Sequence, residues 1–266
     1  MSASDWRLTE IDGVLLLRCG AMDGIAGITH AFSTRVAEGG TDFDLGPADR
    51  ELPIVSARRR SFMRAAGWRA AHPAILRQVH GVGLVGAGEA GTGRPEADGV
   101  LRFASDGEHT PIPAVRTADC VAVVVIDRRG SAVAALHGGW RGVAGGIGRI
   151  AVSRLAAAGV PAADLAVAMG PAILGCCYEV GEEVVSGLTA SCGPPGTYAR
   201  RSTSGRMTVD LHAALEAQLI AAGVPASAIH AAPYCTRCRN DLFFSFRGEG
   251  SACGRMMAAV GPAGGP

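Results

Sequence analysis

The chain of 266 residues contains no lysine, so all 25 of its basic residues are arginines. Without a side-chain amine, Schiff-base catalysis by lysine is excluded. The net charge of +1 gives no bulk field that would attract nucleic acid or a membrane surface. No stretch approaches the roughly 20 apolar residues that a membrane-spanning helix needs. We therefore expect neither nucleic acid nor a membrane as a partner.

The N-terminus lacks the features of a secretory signal. It carries Asp5 and Glu10 and has no basic start followed by an apolar run. Eight cysteines in a chain of this length are too few for a disulfide scaffold. We expect reduced thiols and a cytoplasmic location.

Length and composition favour one domain. A chain of 266 residues that is 48% hydrophobic can bury one large core. We predict a single α+β domain over 1–266, with a mixed β-sheet layered with helices and a short disordered tail from about 261. Apolar runs predict strands, several of them buried on both faces, at 74–80, 113–116, 121–127, 132–136, 165–169, 229–235, 243–247 and 255–260. Helices are predicted at 53–66, 143–158, 182–189 and 211–222, the last capped by Asp210.

Three potential metal ligands lie at the ends of predicted strands. They are His80, Cys120 and His137. One thiolate and two imidazoles are a ligand set that catalytic zinc takes from a protein when a fourth position stays open. Asp119, next to Cys120, is the predicted carboxylate that orients a histidine ligand from behind.

Two other chemistries use the same residues. Cys120 would serve as a nucleophile with His137 as its base and no metal. A copper oxidase is the other alternative, although seven histidines without a His-x-His pair cannot house four coppers convincingly. Metal content separates the first alternative from a zinc enzyme.

Seven ordered motifs carry a family resemblance. They include Gln78-Val79-His80, Asp119-Cys120 and the run from His137 to Gly142, with others at 30–35, 97–100, 170–180 and 243–247. Their order and content resemble the YfiH family, also called the laccase-domain or multicopper polyphenol oxidase family, from about 28 to 258. The sequence departs from the family pattern after Arg247, where Gly248 replaces a second arginine.

The resemblance implies a fold, a cofactor and an activity. The fold would be that of YfiH proteins and cytotoxic deamidases, and Zn²⁺, with Cu²⁺ as the alternative ion, would bind His80, Cys120 and His137. The family resemblance implies phosphorolysis of adenosine, inosine, guanosine and methylthioadenosine, with adenosine deamination as a side activity. The partners would be a purine nucleoside and phosphate, and the chain would be a monomer or weak homo-oligomer. A copper polyphenol oxidase and a Cys–His amidase that edits peptidoglycan precursors remain the alternatives.

Further residues are assigned roles on these expectations. Cys120, Asp119 and His137 are the predicted catalytic residues. Substrate and phosphate would contact Arg35, Arg77, Gln78, Trp140 and Arg141, because guanidinium groups bind phosphate bidentately and an indole stacks on a purine. His30 is expected in the core, Cys176 and Cys177 are expected to pack, and the Cys-x-x-Cys of Cys235 and Cys238 is expected to be incidental.

Overall fold

The computed structural model describes residues 6–25, 27–40, 42–46, 52–202 and 205–264. The strands in these ranges are β1 (Trp6–Ile11), β2 (Val14–Cys19), β3 (Ile28–Ala37), β4 (Leu84–Gly86), β5 (Gly99–Phe103), β6 (Ala114–Thr117), β7 (Val121–Asp127), β8 (Ala132–Gly138), β9 (Leu165–Met169), β10 (Glu179–Val180), β11 (Ala199–Arg201), β12 (Met207–Val209), β13 (Ile229–Ala231) and β14 (Met256–Pro262). The α-helices are α1 (Pro53–Ala65), α2 (Ala87–Gly91), α3 (Trp140–Ala144), α4 (Ile147–Ala157), α5 (Glu182–Cys192), α6 (Leu211–Ala221) and α7 (Phe246–Glu249). Within the described ranges, no helix has the length and apolar character that crossing a membrane requires.

Two large sheets and one small sheet organise the chain. The first has the strand order β1-β2-β3-β14-β6 and is antiparallel throughout. The second has the order β13-β9-β7-β8-β5-β4 and is mixed, because β13–β9 and β4–β5 pair in parallel. A three-stranded sheet, β10-β12-β11, stands apart. The predicted α+β class with a mixed sheet is confirmed, although the strands divide among several sheets.

The two large sheets pack face to face between layers of helix. Side chains from both sheets share one core, in which Phe32 and Val260 meet Val124 and Ile126. The outer face of the five-stranded sheet contacts α1, and that of the six-stranded sheet contacts α4, α5 and α6. Alternate residues of β7 therefore enter different apolar layers, which explains why every residue of this strand is buried.

Several predicted elements are confirmed. Strands β7 and β9 have the predicted bounds, and α1 ends one residue earlier than predicted. Asp210 caps α6 by accepting hydrogen bonds from the backbone N–H groups of His212 and Ala213. These elements were predictable because local signals and tertiary packing agree there.

Other elements differ from prediction. Residues 74–80 form no strand and make only isolated bridges, through Pro73 to Ile112 and through Arg77 to Glu96. The predicted helix 143–158 is interrupted by Gly146, which has φ of 90° and lies between α3 and α4. Residues 243–247 form a turn that leads into α7, since the side chain of Ser245 caps that helix at Gly248.

The predicted tail is also shorter than expected. Strand β14 continues to Pro262, whose carbonyl accepts a hydrogen bond from Trp68 Nε1 at 2.8 Å. Residues 265 and 266 of the predicted tail lie outside the described residues. Residues Ala199–Arg201, where no strand was predicted, form β11 of the small sheet.

His30 lies in the core, as predicted, and gives the first testable expectation. Its side chain is 1% exposed and Nε2 accepts a hydrogen bond from the Cys19 backbone N–H at 2.9 Å. Burial, together with the charge of Arg18, lowers the pKa of His30 to about 4. The unfolded chain therefore binds a proton at higher pH than the folded chain does, so His30 makes stability fall as pH drops from about 6.5 towards 4.

The variant His30→Gln should remove this dependence, since a glutamine oxygen can accept the same hydrogen bond without titrating. Between pH 7 and pH 5, the wild type should lose about 2 kcal/mol more unfolding free energy than the variant. Urea unfolding at the two pH values measures this difference, and other titrating groups cancel in the comparison. Equal losses in the two proteins would show that His30 titrates normally in the fold.

Candidate metal centre

The three predicted ligands lie together at the end of the six-stranded sheet where β7 begins and β8 ends. Because β7 and β8 are antiparallel, the start of β7 lies beside the end of β8, and Ala122 pairs with His137. Cys120 directly precedes β7. His80 comes from the segment before β4, which runs parallel to β5 at the far side of the sheet. The topology thus brings together residues that are distant in the sequence.

The three side chains are close enough to share one ion. One donor atom from each of His80, Cys120 and His137 lies within 4.8 Å of the other two. The two imidazole rings meet edge to face, with centroids 4.8 Å apart. Sulfur with two imidazole nitrogens is a donor set that fits zinc, and it also accepts copper. We call these three residues the metal centre.

The carboxylate of Asp98 holds the metal centre in place through hydrogen bonds to His137 and to the backbone around His80. Its Oδ1 lies 2.8 Å from Nδ1 of His137 and accepts the backbone N–H of His80 at 3.0 Å. Its Oδ2 accepts the backbone N–H groups of Val79 at 3.2 Å and Gly81 at 2.6 Å. One fully buried carboxylate therefore orients one histidine and fixes the loop that carries the other.

The prediction that Asp119 orients a histidine is wrong, because Asp98 has that role. Asp119 Oδ1 accepts from Thr236 Oγ1 and Oδ2 accepts from the Arg247 backbone N–H, each at 2.6 Å. Asp119 thus connects the Cys120 loop to two C-terminal segments. Its φ of 84°, like the φ of 60° at His80, is unusual for a residue with a side chain and marks backbone strain at the site.

The charges at the metal centre reinforce one another. Burial alone would raise the pKa of the Cys120 thiol, but the charge of His137 and hydrogen bonds from His137 and His80 lower it to about 6. Burial likewise opposes a charge on His137, yet Cys120 and Asp98 raise its pKa to about 9. The environment therefore favours the thiolate, which is the form of cysteine that binds metals.

A cavity of about 650 Å³ opens over the metal centre. Besides the three ligands, its walls carry arginines, three aromatic side chains and a few small or polar residues. The arginines are Arg77, Arg94, Arg116, Arg141, Arg247 and Arg255, and the aromatics are Trp140, Tyr178 and Phe246. The space suits a drug-sized ligand, and the lining combines cations with flat apolar surfaces.

Four of the five residues predicted to bind substrate line this cavity. The guanidinium of Arg141 lies 4.4 Å from the Trp140 ring centroid. Arg77 pairs with Glu96 at 2.9 Å. Gln78 lines the wall, but its amide exchanges two hydrogen bonds with the Arg116 backbone and so holds β6 in place.

Arg35 does not line the cavity, contrary to prediction. Its guanidinium pairs with Asp42 and Glu249, donates to the Asn240 carbonyl and lies 4.4 Å from the centroid of the Phe244 ring. These contacts fasten β3 to the segment after β13. Arg35 therefore has a structural role in this fold.

The sequence did not single out several residues of the site. Asp98 belongs to a family motif, yet only the pairing of Gly99 with Leu136 places it behind His137. Tyr178 also lies in a motif, and burial, assisted by the nearby Cys120 charge, raises its pKa to about 12. Phe246 lines the cavity wall and is 50% exposed. In the sequence, its only signal was its place in the motif at 243–247.

Gly139 supplies a prediction about the space that the metal centre needs. A Cβ at this position would lie 2.7 Å from His80 Cδ2 and 3.3 Å from Cys120 Sγ. Gly139→Ala should therefore displace two ligands and weaken zinc affinity by at least about tenfold. Competition with a chromophoric chelator measures the change. Gly88→Ala is the control, because no atom lies within 4 Å of its added Cβ; equal affinities in the two variants would contradict the prediction.

Comparison with known proteins finds relatives over most of the chain. Residues 30–263 match the family model described as multi-copper polyphenol oxidoreductase laccase. The chain is 34% identical over 264 residues to purine nucleoside phosphorylase YlmD of Geobacillus stearothermophilus, covering 92% of this chain and 93% of that protein. It is 39% identical over 147 residues to adenosine deaminase RL5 of an unknown prokaryotic organism, covering 55% of this chain and 56% of that protein.

Solved structures show the same fold. The crystal structure of YlmD from Geobacillus stearothermophilus superposes with a TM-score of 0.82 at 30% identity, covering 97% of this chain and 98% of that one. The YfiH protein of Bacillus licheniformis gives a TM-score of 0.81 at 24% identity, with coverage of 97% and 98%, which supports the fold. The chain therefore belongs to the family described as multi-copper polyphenol oxidoreductase laccase.

Proposed function

We propose that this chain is a zinc-dependent enzyme of purine nucleosides. It cleaves adenosine, inosine, guanosine and methylthioadenosine with phosphate, and it deaminates adenosine as a side activity. The observation that carries the proposal is the cavity, in which three metal donors, guanidinium groups and aromatic rings face one space. Relatives named purine nucleoside phosphorylase and adenosine deaminase support the substrate class.

Arg141 is the proposed phosphate-binding residue. Within the described residues, its guanidinium makes no ion pair or hydrogen bond and rests on the Trp140 ring. By contrast, Arg116 donates to the carbonyls of Gly46 and Leu76, and Arg247 donates to that of Glu179. Arg141 therefore keeps its donors for an anion, and a guanidinium matches phosphate bidentately.

The aromatic side chains are the proposed purine contacts. Trp140, Tyr178 and Phe246 present flat surfaces to the cavity, and a purine stacks favourably on such rings. Phosphorolysis needs the anion held close to the ribose while positive charge develops on the sugar, so a purine held by stacking beside Arg141 is suitably placed.

The metal centre and its support would act in the following way. When bound by His80, Cys120 and His137, zinc supplies a Lewis acid with an open coordination position. Asp98 holds the proton on Nδ1 of His137, which leaves Nε2 facing Cys120. Asp119 positions the cavity wall through Thr236 and Arg247. The need for a reduced Cys120 favours a cytoplasmic location.

The positions of the other histidines favour a single zinc ion over a copper cluster. His30 accepts a hydrogen bond from Cys19, and Nε2 of His212 lies 2.9 Å from the Gly170 carbonyl, both in the core. In the described part of the chain, only two histidines join a group that could hold an ion. A multicopper oxidase site needs more imidazoles than that.

A metal-free cysteine hydrolase is the second candidate, because His137 contacts Cys120 through one ring nitrogen and Asp98 through the other. This order matches a nucleophile, a base and an orienting carboxylate. His80 also hydrogen-bonds Cys120, however, and a hydrolase would have no use for that second imidazole. The presence of His80 favours the metal.

Substrate assays with Arg141→Gln test the proposed function. Zinc-loaded wild type should release free purine base only when phosphate is present. It should release ammonia from adenosine even when phosphate is absent. Arg141→Gln should raise the KM for phosphate by about 10- to 100-fold and leave deamination nearly unchanged. Arg129→Gln is the matched control, since Arg129 pairs with Asp164 on an exposed turn. Absence of base release from every nucleoside by zinc-loaded protein would overturn the proposal.

A further inference from the structure

Four cysteines that were expected to have no joint role meet at the surface. Cys176 and Cys177 follow β9, whereas Cys235 and Cys238 follow β13. The Sγ atom of Cys238 lies 3.7 Å from that of Cys176 and 3.4 Å from that of Cys177. All four sulfur atoms lie within 4.8 Å of one another. We call this group the thiol cluster.

The fold explains why these segments meet. Strands β9 and β13 are parallel neighbours, so the chain leaves both of them at the same edge of the sheet. The pairing continues beyond the strands through a bridge between Ala172 and Cys235, and the Thr236 backbone N–H donates to the Ala172 carbonyl at 2.9 Å. The backbone thus fixes the distance between the two cysteine pairs without any covalent link.

The Cys-x-x-Cys turn is folded for a charged sulfur. Backbone N–H groups of Leu174, Arg237 and Cys238 hydrogen-bond to the Cys235 sulfur, which is buried. Amide donors aimed at a sulfur are the support that a metal-bound thiolate receives from its surroundings.

The close spacing of the four sulfur atoms also points to a cation. Four thiolates at this distance repel one another, so they can coexist only around a cation, whose binding releases their protons.

The sulfur positions match one type of site. With zinc–sulfur bonds of about 2.3 Å, the edges of a tetrahedral site are about 3.8 Å long. The distances of 3.4 and 3.7 Å lie just below this edge length, and the upper limit of 4.8 Å requires only small adjustments of the side chains. We propose that Cys176, Cys177, Cys235 and Cys238 bind a structural zinc ion, separate from the metal centre. Four protein ligands leave no open position, so this ion stabilises the fold and takes no part in chemistry.

The ion would stabilise the wall of the cavity. Cys177 directly precedes Tyr178, which lines the cavity. Thr236, inside the Cys-x-x-Cys turn, donates to Asp119, next to the ligand Cys120. A disulfide is the competing chemistry, but the Cys238 sulfur lies near both Cys176 and Cys177, at 3.7 and 3.4 Å, so the geometry selects no single partner for a bridge.

Zinc counting on variants of the full chain tests the proposal. Protein purified under reductant should hold two zinc ions per chain, and Cys238→Ser and Cys176→Ser should each hold one. Both replaced side chains are exposed, so the variants should fold. Cys120→Ala should also hold one, while Cys192→Ala, which removes a buried thiol outside both sites, should hold two.

X-ray absorption identifies which ion remains. The zinc of Cys120→Ala should have four sulfur neighbours, whereas the zinc of Cys238→Ser should have mixed sulfur and nitrogen neighbours. Equal zinc content in wild type and Cys238→Ser, or a disulfide within the thiol cluster of protein purified under reductant, would overturn the proposal. Neither result depends on nucleoside turnover, so this test is independent of the proposed function.

Discussion

A Cys120→Ala variant should lose the ion of the metal centre and its catalytic turnover while remaining folded. Cys120 supplies the only sulfur among the three ligands, and two imidazoles alone hold zinc weakly. Because a Lewis acid contributes several kcal/mol to a transition state, turnover should fall by at least about 10³-fold. Zinc content and nucleoside phosphorolysis, measured on the same sample, test both losses.

Chelation of the wild type distinguishes the two chemistries that use Cys120. If the metal centre acts through zinc, chelated wild type should be inactive and should recover when zinc is restored. Cys192→Ala is the control variant and should behave as wild type throughout, because its thiol lies outside both cysteine-containing sites and contacts Gln218 Nε2 at 3.7 Å. Full turnover by chelated protein, together with inactivation by a thiol alkylator, would replace the zinc proposal with the cysteine hydrolase.

Two of the three residues proposed to bind the ion could be located from the sequence, because each lies at the end of a strong strand pattern. The apolar runs of β7 and β8 predict strands because both faces of these strands are buried. Cys120 directly precedes β7, and His137 lies near the end of β8. His80 was also predicted to end a strand, and that element is wrong, because the segment makes only isolated bridges. Its motif, not its secondary structure, identified it.

The roles of other site residues could not be predicted from the sequence, because they depend on contacts between distant segments. Asp98 lies behind His137 because β5 pairs with β8 in a register that no local pattern reveals. Arg35 was assigned to phosphate because a guanidinium suits an anion, but Asp42 and Glu249 already neutralise it. Cys176 was expected only to pack and Cys238 to be incidental, and the parallel pairing of β9 with β13 brings them together.

Asp98→Asn should weaken metal binding by about 10- to 100-fold, although the side chain keeps its shape. Each carboxylate oxygen of Asp98 accepts from two groups: Oδ1 from His80 N–H and His137, and Oδ2 from Val79 and Gly81 N–H. An asparagine offers one oxygen, so in either orientation its NH₂ group faces two donors. At a side chain with no exposed surface, such unmatched donors should also cost about 2 kcal/mol or more of unfolding free energy.

Asp127→Asn separates the effect on the metal from the effect on stability. Asp127 is also buried, ends β7 at the opposite edge of the sheet, and accepts from Arg129 N–H and from both N–H and Oγ of Ser131. Urea unfolding of the zinc-free proteins should show a loss of stability in both variants, whereas chelator competition should show weaker zinc binding only in Asp98→Asn. If both variants bind zinc as the wild type does, Asp98 fastens the loop without orienting His137. Reduced binding confined to Asp98→Asn would mean that the geometry of the metal centre is set by a carboxylate that never touches the ion.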